Sequence, residues 1–211
     1  MDNFHYIQAF KDVMSADVTN IARAGSSNRR IIRTTVDYVD RNNVDFVVLG
    51  LTFYDRQESP FVNKPDPWVS YNSQGIQAVF SDVNDYESPA EYQVLGRYVV
   101  DRYKYDINEH YLDALYLDLK MFTAYLKQKG VGYCIFNTCD LHHKATDLYN
   151  DTGIMPFGFV ANEYMEEKGC EHFYLDDDLP PNARHHYSSD VIILVKHLAD
   201  YIKEHKLIER V

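Results

Sequence analysis

The sequence is poor in cysteine. It contains three, Cys134, Cys139 and Cys170, and they form no C-x-x-C motif. An odd number of scattered cysteines provides no disulfide framework, which excludes the disulfide-stapled class of secreted domains. We therefore predict a protein of a reducing compartment.

The chain also lacks a long apolar run and an excess of positive charge. No run approaches the roughly 20 apolar residues that a helix needs to span a bilayer, so we expect no membrane partner. The chain has 32 Asp and Glu residues but only 21 Lys and Arg residues, which gives a formal net charge of −11. Phosphate binding requires clustered basic residues, so we expect no nucleic-acid partner. Residues 1–10 show neither the basic region nor the apolar core of a signal peptide, and we expect a cytoplasmic location.

What the chain has is an ordinary globular composition. Its 211 residues are 45% hydrophobic and 25% charged, enough for one domain with a substantial core. We see no internal repeat, and we predict a single domain over residues 1–211.

Apolar periodicity predicts alternating strands and helices. Helical spacing occurs over residues 5–14, 106–129 and 189–205, and again after the turn at residues 25–27. Short apolar or alternating runs predict strands near Val18, Val47 and Ile135, and the run at residues 46–51 is apolar on both faces, as in a buried parallel strand. This alternation predicts an α/β domain with a mainly parallel sheet and helices on both faces.

Residues 59–89 interrupt this alternation. They are rich in Pro, Asn, Ser, Asp and aromatic residues and include the single tryptophan, Trp68. Long irregular inserts in compact domains are usually functional. We expect an irregular lid or specificity loop over or beside the carboxyl rim of the sheet, with Trp68 and its aromatic neighbours partly exposed.

The stretch NIARAGSSNRRIIRTT, residues 20–35, predicts a strand over residues 17–22 that continues through a tight turn into a helix. Either Ser26 or Ser27 stands where a helix N-cap belongs. Such a junction suits an anion or a developing oxyanion because it concentrates free N–H groups. On these residues alone, a capped helix without chemistry is the favoured interpretation.

Ligands of open α/β sheets bind beyond the carboxyl ends of the strands. Four polar segments are expected there: residues 25–28, residues 50–52 with Arg56 and Glu58, residues 137–143, and residues 176–186. Serine, histidine and aspartate on one rim would suit acyl transfer, in which Ser attacks, His takes its proton and Asp orients the imidazole.

Other chemistries fit these segments less well. Zinc could take Cys139, His142, His143 and His172, but their spacing matches no standard zinc pattern. Calcium could take residues 176–178, which lack the Gly and Glu spacing of a calcium loop. Asp140 and His143 form a D-x-x-H pair for which a surface loop is the favoured interpretation. We therefore expect no metal and no cofactor.

Three segments occur in a fixed order: NIARAGSSNRRIIRTT at residues 20–35, LGLTFYDRQE at 49–58, and DLPPNARHH at 178–186 before the last helix. This order resembles the SGNH (GDSL) hydrolase family, particularly its divergent members common in marine phage genomes. The resemblance covers nearly the whole chain. It implies a three-layer sandwich of flavodoxin-like type and hydrolysis of a small ester or carbohydrate acetyl ester. For a phage-encoded chain, the location would be the host cytoplasm.

The chain departs from the family pattern at the catalytic residues. The family's nucleophile lies in an earlier Gly-Asp-Ser block, which the chain lacks. By the resemblance, Gly25 would donate an oxyanion N–H, and Thr52 stands near the position of the family's oxyanion Asn. The family's catalytic His falls on Pro180, which can neither accept nor donate a side-chain proton.

Two hypotheses would preserve an enzyme. Ser27 could be a relocated nucleophile, with His186 or His185 as base, Asp178 as orienting carboxylate, and Gly25 as oxyanion donor; Asn28, Thr52 and Arg56 would complete the binding site. Alternatively, the chain is shortened, and a second copy or a partner chain completes the sheet. The favoured interpretation is an SGNH-like hydrolase domain that is degenerate, a pseudoenzyme with weak or no activity. The rival hypothesis is a non-catalytic, phage-associated binding or assembly protein that reuses the cleft.

Overall fold

The computed structural model describes residues 4–23, 26–54, 56–60, 68–71, 108–138, 147–156, 158–170 and 191–208. The helices in these ranges are α1 (Phe4–Met14), α2 (Asn28–Arg41), α3 (Asn108–Lys129), α4 (Ala161–Glu167) and α5 (Val191–Glu204). The strands are β1 (Phe46–Leu51), β2 (Gln57–Pro60), β3 (Trp68–Tyr71) and β4 (Gly132–Asn137), and a short 3₁₀ turn spans Asp147–Asn150.

β1 and β4 form a small open parallel sheet. Their register runs from Phe46 opposite Gly132 to Leu51 opposite Asn137. The second edge of β4 pairs with the segment around Ile154: Ile135 N donates to Gly153 O at 2.8 Å, and Met155 N donates to Ile135 O at 2.9 Å. β4 is therefore the central strand, and every one of its residues is buried. The predicted α/β class, with a parallel sheet, is confirmed.

Two clusters of buried side chains use alternate residues of β4, because successive side chains of a strand point to opposite faces. Tyr133 and Ile135 belong to a cluster with β1 and α3, whose members include Val47, Leu49, Leu51, Leu112, Leu115, Leu119, Phe122 and Leu126. Cys134 and Phe136 belong to the other, with Met165 of α4 and Leu194, Leu198 and Ile202 of α5. The thiols of Cys134 and Cys170 are both buried.

The long helices follow the predicted periodicity. α3 ends before Gly130, whose φ of 69° is the left-handed conformation that commonly terminates helices. On α5 the predicted inward residues Val191, Leu194, Val195, Leu198 and Ile202 are all buried. α1 packs against α5, since Ala9 shares a buried cluster with Val191 and Val195.

The predicted strand over residues 17–22 is wrong. Residues 15–23 form no strand, and most of their side chains are exposed. Asn20 Oδ1 accepts a hydrogen bond from Ala22 N at 2.9 Å, a local Asx turn. Such a turn competes with a strand ladder for the same backbone groups.

The insert is not irregular throughout. β2 and β3 pair as an antiparallel ladder, with Gln57 opposite Tyr71 and Pro60 opposite Trp68. The expectation of an irregular segment is therefore wrong at residues 59–60 and 68–71, while the remainder of 59–89 and the Trp68 side chain lie outside the described residues. The ladder starts six residues beyond Leu51, the carboxyl end of β1.

One further helix was not predicted. α4 lies outside the helices and strands that the periodicity predicts, and only Ala161 and Met165 of its seven residues are buried. Two buried positions are too few to establish a 3.6-residue period in the sequence. Within the described ranges, no helix combines the length and the apolar character needed to cross a bilayer.

Candidate functional site

The carboxyl ends of β1 and β4 meet at one edge of the sheet. Leu51 O, at the end of β1, accepts hydrogen bonds from Thr138 N at 2.9 Å and from Thr138 Oγ1. Beyond Thr138 the chain leaves the described residues. This carboxyl rim is the edge at which open α/β sheets bind ligands.

Ser27 is the N-cap of α2. Its backbone is extended, with φ −76° and ψ 161°, and its Oγ accepts a hydrogen bond from Arg30 N at 3.1 Å. Its carbonyl accepts the first helical hydrogen bond, from Ile31 N at 2.9 Å. The predicted cap is thereby confirmed at Ser27. Only 1% of the residue is exposed, so its hydroxyl is enclosed by the protein.

Asn28 joins the start of α2 to the end of β1. Its Oδ1 accepts from Thr52 N at 2.8 Å, and its Nδ2 donates to Thr52 O at 2.9 Å and, more weakly, to Phe53 O at 3.5 Å. The side-chain amide therefore pairs with the backbone of Thr52 as a neighbouring strand residue would. With 4% exposure, Asn28 is a structural clamp within the candidate site.

Thr52 and Arg56 also lie at this rim. The backbone of Thr52 is occupied by the Asn28 amide, and Arg56 N donates to Phe53 O at 3.1 Å. The Arg56 guanidinium carbon stands 5.6 Å from the centre of the Phe53 ring, within cation–π range. The structure thus brings Ser27, Asn28 and Thr52 together, with Arg56 four residues beyond Thr52.

An ion pair joins α2 to the ladder that follows this loop. Arg33 Nη2 lies 3.0 Å from Glu58 Oε2, and the Glu58 side chain is 7% exposed. Nearer the start of α2, Arg29 Nε lies 3.0 Å from Asp118 Oδ2 of α3. Ion pairs therefore join the amino-terminal half of α2 to β2 on one side and to α3 on the other.

Asn137, which is buried, and Tyr149, which is partly buried, form a polar pair at the end of β4. Burial raises the pKa of Tyr149 to about 12, and the hydrogen bond with the Asn137 side chain acts in the opposite direction. Asn137 lay in a predicted rim segment, whereas Tyr149 was not predicted. Tyr149 lies in the 3₁₀ turn, and no motif in the sequence marks it.

The remaining predicted residues lie outside the described part of the chain. They are Gly25, Cys139, Asp140, His142, His143, His172, the aspartates at 176–178, Pro180, His185 and His186. Within the described ranges, no group of three His, Cys, Asp or Glu side chains is arranged to hold a metal ion.

Comparison with known proteins gives no relative: no protein-family model, no curated protein and no solved structure matches the chain.

Proposed function

We propose that this chain is an SGNH/GDSL-like domain, a three-layer sandwich of flavodoxin-like type, that binds a small ester or carbohydrate acetyl ester at its carboxyl rim. Hydrolysis is weak or absent, and no metal takes part. The proposal rests on one observation: the capped start of α2 is clamped by the Asn28 amide to the end of the parallel strand β1. In an α/β domain, this junction is where ligands bind.

The low turnover follows from the hydrogen bonding and burial of Ser27. A serine hydroxyl is a poor nucleophile until a base is aimed at it. Here Ser27 Oγ accepts the Arg30 N–H, and the residue is almost fully enclosed. An attacking oxygen must reach the substrate carbonyl, and about 1 Å of misplacement can cost on the order of 100-fold in rate. Backbone N–H groups at the rim still bind a carbonyl without that hydroxyl.

A second candidate is a non-catalytic assembly role, in which a second copy or a partner chain completes the sheet. One observation favours it: Val48, in the middle of the apolar strand β1, is 38% exposed. Within the described ranges β1 pairs only with β4. Sedimentation equilibrium over a hundredfold concentration range tests this role, because Val48→Asp should shift an oligomer to the monomer.

Hydrolysis and binding are measured separately. The test substrates are a chromogenic acetyl ester and an acetylated xylose, and NMR follows both deacetylation and the amide signals of Asn28 and Thr52. We expect the acetylated xylose to shift these signals while deacetylation stays near the buffer rate. Ser27→Gly removes the hydroxyl without adding atoms, and Ser26→Ala is the matched control at the neighbouring hydroxyl.

Three outcomes contradict the proposal in different ways. Robust hydrolysis abolished by Ser27→Gly but not by Ser26→Ala would establish Ser27 as a relocated nucleophile. Hydrolysis insensitive to Ser27 but lost in Asp140→Ala or His143→Ala would assign the chemistry to that pair. Unshifted Asn28 and Thr52 signals at saturating ester would eliminate ester binding at the rim.

A further inference from the structure

Three aromatic rings stack where α4 meets α5. The imidazole of His197 on α5 lies 5.0 Å from the Phe159 ring centre and 4.3 Å from that of Tyr164, with interplanar angles of 21° and 26°. Phe159 and Tyr164 also contact each other, at 5.6 Å between ring centres. Because Phe159 precedes α4 and Tyr164 lies within it, this stack fastens both the start and the middle of α4 to α5.

The surroundings of His197 make its protonation costly. Burial is the main cause that lowers the pKa of His197 below its ordinary value. Among charged groups, Asp200 and Glu204 on α5 act to raise the pKa, and Lys168 at the end of α4 acts to lower it. Lys168 also lies over the Tyr164 ring, its Nζ 5.4 Å from the ring centroid. Aromatic faces attract a cation, but this attraction does not recover the hydration that an imidazolium loses here.

α4 is also attached to the carboxyl rim. Val160, immediately before α4, forms a parallel bridge with Asn137 at the end of β4. Asn162 N donates to Thr138 O at 3.3 Å. Any change in how α4 docks on α5 therefore reaches the end of β4 through these backbone contacts.

We propose that the stack of Phe159, His197 and Tyr164 is a pH-sensitive latch, which holds α4 and the end of β4 in place while His197 is neutral and loosens them when His197 binds a proton. A proton that binds the opened form more strongly than the closed form shifts the population toward the opened form. The latch acts between neutral and mildly acidic pH, because imidazole titrates there. It depends on the fold and is independent of the proposed ester binding.

Hydrogen exchange of the full-length chain at pH 7.5 and pH 5 tests the latch. Rates at the Asn162 and Tyr164 amides are corrected for the intrinsic effect of pH on exchange. We expect protection at both amides to fall at pH 5, by up to about tenfold for each unit by which the pKa of His197 lies below that of an unfolded histidine. In His197→Phe, which retains a stacking ring, we expect this pH dependence to disappear.

His205→Phe is the matched control, because His205, just beyond α5, contacts the ring of Tyr201 on α5 at 4.3 Å between ring centres. It should retain the wild-type pH dependence at Asn162 and Tyr164. The latch is refuted if the pH dependence survives in His197→Phe, or if protection is equal at both pH values in the wild type. Should His197→Phe fail to fold, an NMR titration of the wild-type His197 ring decides: a pKa at or above the ordinary 6.5 overturns the proposal.

Discussion

The two ends of the parallel sheet are secured by different chemistry. Near the amino end of β4, the Asp151 carboxylate accepts from Tyr133 OH and Lys127 Nζ, each at 2.6 Å, and from Gly153 N at 3.0 Å. At the carboxyl end, the neutral Asn28 amide pairs with the backbone of Thr52. One end is a charged hub, in which Asp151, Lys127 and Tyr133 are joined by hydrogen bonds. The other is an uncharged clamp made by a side chain that imitates a strand.

The difference indicates which end is suited to a ligand. Burial acts to raise the pKa of Asp151, but the hydrogen bonds from Lys127, Tyr133 and Gly153 outweigh it, so the pKa lies below its ordinary value. Burial and the bond to Asp151 raise the pKa of Tyr133 to about 12. These groups are held in fixed protonation states and serve structure. The clamp of the carboxyl end positions a rim without adding charge to it.

Gly153→Ala should produce the largest effect, because a Cβ at Gly153 would overlap the Tyr133 ring. Displacing that ring also disrupts the hydroxyl bond to Asp151, and we expect a loss of about 3 kcal/mol in unfolding free energy, measured by urea denaturation. Gly158→Ala is the control, since no heavy atom lies within 4 Å of a Cβ there. Equal stability of both variants would mean that the amino end of β4 is less tightly packed than described.

Asn28→Ala removes the clamp at the other end. We expect a loss of about 2 kcal/mol in urea denaturation, because the backbone N–H and C=O of Thr52 lose their partners. Asn28→Asp keeps the acceptor for Thr52 N but sets a carboxylate against Thr52 O, so it should be no more stable than Asn28→Ala. If Asn28→Asp matched the wild type at pH 7, the donor half of the clamp would contribute nothing.

Ser27→Ala tests the cap apart from any catalysis. Loss of the Oγ that accepts from Arg30 N should cost about 1 kcal/mol, whereas Ser27→Gly should cost only a few tenths. Thermal unfolding followed by circular dichroism gives both values. Identical melting temperatures for wild type and Ser27→Ala would mean that the hydroxyl is not needed as a cap and would revive its candidacy as a nucleophile.

The smallest effect concerns the pH dependence of the charged hub. Since the pKa of Asp151 is lowered on folding, its contribution is fully present above the unfolded pKa of about 3.9 and is lost as pH falls through the folded value. Lys127, at 62% exposure, adds little because water screens it. Urea midpoints between pH 5 and pH 2.5 should fall less steeply in Asp151→Asn than in the wild type. The pH dependence at the hub should thus exceed that at the clamp, where Asn28→Ala should leave the slope unchanged.

The elements that the sequence predicts are those with strong local signals. α3 and α5 show several turns of apolar periodicity, and Ser27 followed by that periodicity marks the start of α2. The segment at residues 17–22 alternates like a strand, but Asn20 closes a local turn. α4 is too short for its period to be read. An apolar pattern predicts a helix or strand correctly only where it is long enough to outweigh competing local hydrogen bonds such as that of Asn20.

For the site, the sequence predicts that the ends of the strands meet the start of α2. It does not predict which hydrogen bonds join them. The Asn28 amide binds a backbone group 24 residues away, at Thr52. That pairing arises only when α2 packs beside β1, so no spacing rule contains it. The Asn137–Tyr149 pair likewise depends on where a 3₁₀ turn meets the end of β4.

The position of Cys134 makes the opening of the central strand measurable by thiol alkylation. This thiol is fully enclosed in the middle of the central strand, and burial raises its pKa to about 12. Thiolates, not thiols, react with alkylating agents, so modification of Cys134 has to wait until β4 opens. At high reagent concentration, the rate of its alkylation becomes the opening rate of the strand itself. A single native side chain thereby reports, without any engineered probe, how often the centre of the sheet is exposed to solvent.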